Sequence, residues 1–290
     1  MFKGSMVAIV TPFENGRLDE KRFKALIEFQ IKNGTSAIVP CGTTGESATL
    51  SLEEHERVIE LTVETVAGRV PVIAGAGSNN TAEAITLTKH AKSAGVSAVL
   101  LISPYYNKPT QNGIYLHFKA VAEVVDIPIV LYNIASRTGI NIEPETMAKL
   151  AQIKNIVAVK EASGNIAQMA QIMRLCGDNI TLISGDDALT LPVLSIGGTG
   201  VISVVANIVP KETASLIKEF ERGNIKEARK IYLHLLPLVK AMFIETNPAP
   251  VKQALGMMGL VKPELRLPLC PMLPENEAKL KKTLKEYKLI

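Results

Sequence analysis

Eight short runs of apolar, largely β-branched residues, each separated from the next by a longer stretch that in most cases has helical periodicity, constrain this chain more than any other feature. The runs fall at residues 6–10, 37–40, 70–74, 98–102, 128–132, 156–160, 181–184 and 200–203. A strand that is apolar along its whole length needs cover on both faces, which parallel strands flanked by helices receive. Between the runs, Ile114, Phe118, Val121 and Val125 share one side of a helix, as do Ile85, Thr88, His90 and Ala91. Helix starts are expected at Asp19, Ser51, Thr81 and Pro144. Strand–helix units of about thirty residues, repeated eight times, fit an α/β chain of the (β/α)8 TIM barrel class, whose usual size is about 250 residues. A doubly wound sheet would carry its glycine-rich ligand loop after the first strand. Gly75-Ala76-Gly77 follows the third and lacks a third glycine, so it reads as a tight strand-to-helix turn.

The barrel is expected over residues 1–223. Residues 224–290, punctuated by Asn247-Pro248, Lys262-Pro263 and Leu273-Pro274, are then surplus and read as a small C-terminal appendage of three helices. With 290 residues and 47% hydrophobic content, the chain can bury a sizeable core. Its 32 Lys and Arg against 28 Asp and Glu leave a formal charge of +4, which favours small anionic substrates over nucleic acid. The one basic cluster, Lys279, Lys281, Lys282 and Lys285, is interleaved with Leu280 and Leu284 and reads as a solvated helix face.

Cys41, Cys176 and Cys270 follow no metal, redox or disulfide spacing, which points to a reducing compartment. The start, Met1-Phe2-Lys3-Gly4-Ser5, lacks a signal-peptide pattern and no apolar run reaches membrane-spanning length, so a soluble cytoplasmic protein is expected. His55, His90, His117 and His234 show no ligand pairing, and neither a metal nor a cofactor is expected.

In a barrel the reactive groups gather at the carboxyl ends of the strands. The second run ends in Gly42-Thr43-Thr44-Gly45-Glu46-Ser47, the fifth in Tyr132-Asn133, the sixth in Lys160-Glu161 and the seventh in Ser184-Gly185-Asp186-Asp187. A lysine closing an apolar strand is partly desolvated, which frees its amine to attack a carbonyl. The bland alternative is a surface lysine paired with Glu161. Tyr132 ends the neighbouring strand and would relay protons at the same mouth, or else simply pack there. Thr43 and Thr44, between glycines, suit a carboxylate and a hydroxyl relay, against a plain turn. Arg137 sits in a mobile-looking loop, Ser136-Arg137-Thr138-Gly139, where its guanidinium would hold a second carboxylate or make a surface salt bridge. Tyr105 and Tyr106 follow the fourth strand as exposed aromatics, which suggests a subunit contact.

Together these residues resemble the dihydrodipicolinate synthase and N-acetylneuraminate lyase family of barrels, over essentially the whole chain. Two signatures carry the resemblance: Gly42-Thr43-Thr44-Gly45-Glu46-Ser47 with Glu54, and Tyr132-Asn133-Ile134-Ala135-Ser136-Arg137-Thr138-Gly139 followed by Val157-Ala158-Val159-Lys160-Glu161-Ala162. Ala135 stands where the family usually has proline and removes no reacting group. The resemblance implies a lyase in which Lys160 forms an imine with pyruvate. Tyr132, Thr44 and Tyr106 would pass protons, Tyr106 reaching in from a neighbouring subunit of a homotetramer built as a dimer of dimers. Thr43, Gly185 and Ile202 would frame the pyruvate, and Arg137 would receive the carboxylate of L-aspartate 4-semialdehyde in the entry step of lysine biosynthesis. The arginine matters because the sialic acid lyases of the family usually lack it.

The resemblance extends to a lysine feedback site at Ser47, Ala48, His55, Asn79, Glu83 and Tyr105. Leu52 stands where well-known inhibited members have histidine. The competing expectations are another pyruvate-dependent aldolase acting on a sialic acid or keto-deoxy sugar acid, and a non-catalytic barrel that senses lysine or pyruvate.

Overall fold

The computed structural model describes residues 2–290; Met1, the first residue of the N-terminal motif considered above, lies outside the described residues. Strands and helices alternate through the chain: β1 Gly4–Ala8, α1 Glu20–Lys32, β2 Ala37–Val39, α2 Leu52–Val66, β3 Ile73–Gly75, α3 Thr81–Ser93, β4 Ala98–Ile102 and α4 Gln111–Val124. The alternation continues with β5 Ile129–Asn133, α5 Pro144–Leu150, β6 Ile156–Glu161, α6 Ile166–Cys176, β7 Thr181–Ser184, α7 Thr190–Ser195, β8 Gly200–Ser203 and α8 Pro210–Glu221. Three more helices follow: α9 Ile225–Met242, α10 Ala249–Met257 and α11 Pro274–Glu286. The strands form one sheet in the order β2-β1-β8-β7-β6-β5-β4-β3, and the fold is the (β/α)8 TIM barrel. Between β1 and α1, Phe13–Glu14 and Arg17–Leu18 make a small antiparallel hairpin. Among the described residues no helix is long and apolar enough to cross a membrane.

The chain divides into two compact units, one of the residues up to Gly4 with Pro71–Ile202, the other of Ser5–Val70 with Ser203–Ile290. In the first unit the parallel ladder from β3 to β7 sets the site's register: Tyr132 on β5 stands opposite Lys160 on β6, which stands opposite Ile183 on β7. All five residues of β5 are buried, as expected of a strand covered on both faces. Helix α4 turns Ile114, Phe118 and Val121 inward, each burial contributing roughly 1.5–3 kcal/mol of transfer free energy. Helix α3 starts at Thr81, as expected, buries Ala84, Leu87, Thr88 and Ala91, and is capped by Asn80. The Asn80 amide oxygen accepts from the Ala82 and Glu83 N–H groups, which leaves the Thr81 hydroxyl to bond His117 Nδ1 at 2.9 Å. Gly77 lies so close to β4 that a Cβ would meet Ile102 N at 2.4 Å, which explains the glycine in this turn.

In the second unit β1 and β2 run parallel, Met6 opposite Ala37 and Ala8 opposite Val39. Strand β1 ends at Ala8, before the expected residue 10, because the Val10 N–H donates to the Asn207 side chain at 3.2 Å. Asn207 Nδ2 donates in turn to Ala8 O at 2.8 Å. The third strand also starts later than expected, at Ile73, since Pro71 has no N–H to give a ladder. Helix α2 opens with a capping box: the Ser51 hydroxyl accepts from Glu54 N, and the Glu54 carboxylate accepts from Ser51 N. Helix α11 buries Leu280 and Leu284 and leaves its four lysines exposed, as the spacing predicts.

Candidate active site

Lys160 is the fifth residue of β6 and only 6% exposed. Neighbouring strand residues point to opposite faces, so Lys160 and the fully buried Glu161 diverge. The surface pair with Glu161, one of the two sequence readings, is therefore not formed. Glu161 instead accepts from Asn133 Nδ2 at 2.9 Å, Ser163 N at 2.7 Å and Gln168 Nε2 at 3.4 Å. The Lys160 amine lies over the Tyr132 ring, 4.0 Å from its centroid. Burial lowers its pKa from the ordinary 10.5 to about 7; the charge of Asp187 holds the proton on, and that of Arg137 drives it off. The lowered pKa makes the free amine that nucleophilic attack requires accessible near neutral pH.

Gly185 is shaped around this lysine. Its N–H donates to Glu161 O at 2.8 Å, and a Cβ there would lie 2.8 Å from Ala162 Cβ and 3.1 Å from Lys160 Cγ. Ile202 is buried within β8. Arg137 is exposed, on a single helical turn Ala135–Thr138, where the sequence had suggested a mobile loop. The turn forms because Ile134 O accepts from both Arg137 N and Thr138 N at 3.1 Å, and Gly139 closes it at a left-handed φ of 75°. Asn133 braces the segment from below: Oδ1 accepts from Ile142 N at 2.9 Å and Nδ2 donates to Asn141 Oδ1 at 2.8 Å.

Tyr105 and Tyr106 are both exposed, Tyr106 to 88% and with a φ of 71°. Asn79 Nδ2 donates to Tyr105 O at 3.2 Å, and Glu83 accepts from the Ser78 hydroxyl. Asn79, Glu83 and Tyr105 all belong to the unit that holds Lys160.

Thr43 and Thr44 belong to the other unit, in the turn after β2. Gly42 O accepts from Gly45 N at 3.1 Å and from Ser47 N at 3.3 Å, while Thr43 O accepts from Glu46 N at 3.1 Å. A Cβ on Gly45 would stand 3.2 Å from Cys41 N, Ile9 O and Thr11 Oγ1, so the turn is pressed onto the end of β1. Thr44 is buried, and its hydroxyl accepts from Asn247 Nδ2 at 3.0 Å. Ser47 and Ala48 lie on the helical turn Ser47–Thr49, His55 is buried on α2, and Leu52 is exposed at the start of that helix.

Sequence reasoning assigned no role to Asp187, Asn247 or Lys252. Asp187 was visible at the end of the seventh strand, and its burial beside Lys160 is what the sequence did not display. Asn247 was read only as part of a loop-marking Asn-Pro pair. Among the described residues no three His, Cys, Asp or Glu side chains gather as a metal site requires.

The model of the family described as dihydrodipicolinate synthetase matches residues 1–287. The chain belongs to this family. A family relative from Syntrophus aciditrophicus (strain SB), named 4-hydroxy-tetrahydrodipicolinate synthase, is 59% identical over 290 residues and 100% of both chains. The chloride-inhibited dihydrodipicolinate synthase of Acinetobacter baumannii, solved in complex with pyruvate, is 42% identical with a TM-score of 0.98, over 100% of both chains. The dihydrodipicolinate synthase of Cyanidioschyzon merolae, solved with lysine bound, is 43% identical with a TM-score of 0.96, over 100% of this chain and 99% of that one.

Proposed function

We propose that this chain is a lyase that performs the reaction of a 4-hydroxy-tetrahydrodipicolinate synthase, condensing pyruvate with L-aspartate 4-semialdehyde. The observation that carries this reading is Lys160: buried, with a pKa lowered by that burial, and held over Tyr132. The free amine attacks the keto carbon of pyruvate, and loss of water leaves an imine whose positive nitrogen draws electrons from the methyl carbon. The methyl group then loses a proton, the resulting enamine attacks the aldehyde, and the amino group of the semialdehyde adds to the imine carbon and displaces Lys160, which closes the ring and releases the free lysine. Tyr132, Thr44 and Tyr106 pass the protons, Tyr106 from a second copy of the chain. Thr43, Gly185 and Ile202 frame the pyruvate. Arg137, exposed and firmly based on its helical turn, takes the carboxylate of the semialdehyde.

Residues 1–223 form the catalytic barrel and 224–290 the appendage. The proposed assembly is a homotetramer arranged as a dimer of dimers, and the high exposure of Tyr106 supports a subunit contact at that residue. The three free cysteines, two of them buried, support work in the reducing cytoplasm. Free lysine is the proposed inhibitor, at Ser47, Ala48, His55, Asn79, Glu83 and Tyr105, beside Leu52, which departs from the histidine of well-known inhibited members.

A substrate panel tests the reading. Turnover of pyruvate with aspartate semialdehyde, and none with N-acetylmannosamine or glyceraldehyde, is expected. Turnover with the sugars alone would replace it with a sugar-acid aldolase, and turnover with none would favour a sensor.

A further inference from the structure

The turn that carries Thr43 and Thr44 is fastened to the C-terminal helices at two points. Asn247, just before α10, donates to the Thr44 hydroxyl at 3.0 Å. One turn into α10, the Lys252 ammonium pairs with the Glu46 carboxylate, both side chains fully buried. Lys252 also donates to Glu264 O at 2.7 Å, and Arg266 N donates to Glu46 at 3.2 Å. Lys252 Nζ and Arg266 Cζ each lie 4.1 Å from the Phe13 ring centroid. Glu46 is held at a φ of 55°, a conformation that non-glycine residues adopt when their surroundings impose it.

We propose that Asn247 is a positioning residue that sets the direction in which Thr44 donates its proton. An amide nitrogen has only hydrogens to give, so the Thr44 oxygen must accept at that contact. A hydroxyl has a single proton, and with this lone pair committed the proton is turned away from Asn247. Without the amide the hydroxyl is free to rotate and to present the wrong pole to its reaction partner. The buried Glu46–Lys252 pair keeps the turn at the distance where the amide can act, so orientation of the relay is a task of the appendage. The inference rests on the proposed role of Thr44 in proton transfer.

The decisive comparison is Asn247→Asp, which replaces the donor by an acceptor of nearly the same shape and invites the Thr44 proton to the wrong side. Turnover should fall about 100-fold, the scale of one general acid–base contribution. The KM for pyruvate and the extent of borohydride trapping of pyruvate should stay near those of the wild type, while the melting temperature falls because the new carboxylate is buried. Asn247→Ala should cost less than Asn247→Asp. In a Thr44→Val background neither substitution should lower turnover further, because the hydroxyl they misdirect is gone. Near wild-type turnover in Asn247→Asp would overturn the proposal. So would an equal loss with and without the Thr44 hydroxyl, the mark of a merely structural residue. If the aspartate variant does not fold, the Asn247→Ala substitution with and without the Thr44 hydroxyl separates the same two outcomes. Failure of the wild-type protein to trap pyruvate would instead overturn the proposed reaction, and this inference with it.

Discussion

At Lys160 two charges pull in opposite directions on a nitrogen whose burial already favours the free amine. Imine formation with pyruvate should therefore rise with pH through a midpoint near the lysine's pKa of about 7 and level off above it. Asp187→Asn removes the charge that holds the proton on and should move the midpoint down. Arg137→Ala removes a like charge and should move it up. Initial trapping rates measured across the pH range check both signs, and shifts in the same direction would contradict the electrostatic account. The lysine itself was legible in the sequence, because an ionisable group closing an apolar strand stands out. Its separation from Glu161 was less so, since the partners of Glu161 sit on β5, Ser163 and α6 and are set by strand register.

The elements themselves were legible where one rule governed them. Apolar runs marked the strands, and Ser51 with Glu54 marked the start of α2 through a local capping box. Edges were less legible where a distant group intervened, as when the Asn207 side chain takes the Val10 N–H and ends β1. The Arg137 segment looked like a flexible loop because nothing in Ser-Arg-Thr-Gly announces that Asn133 braces it from the strand below. The fastening of the Thr43–Thr44 turn was the least legible feature, because Glu46 and Lys252 are 206 residues apart. Its energetic weight can be measured. Lys252→Met leaves the buried Glu46 carboxylate without its counter-charge and should destabilise the fold by about 3–5 kcal/mol. Adding Glu46→Gln should recover much of that loss, and equal melting curves for the single variant and the wild type would refute the clamp.

For the whole molecule, eight strands and helices in alternation announced the barrel, whereas the proposed assembly rests on the two exposed tyrosines after β4. A Tyr106 supplied by a second copy leads to a complementation test. Lys160→Ala and Tyr106→Phe proteins, each impaired alone, should regain activity when refolded together, since some sites then combine an intact lysine with an intact partner tyrosine. Activity no greater than the sum of the parents would place Tyr106 in its own subunit's site or outside the chemistry. The central claim concerns a single bond between a buried amine and a keto acid. Mass spectrometry of the protein reduced with borohydride in the presence of pyruvate should find the adduct on the peptide containing Lys160. An unmodified Lys160 under those conditions, with the protein folded, would contradict the account.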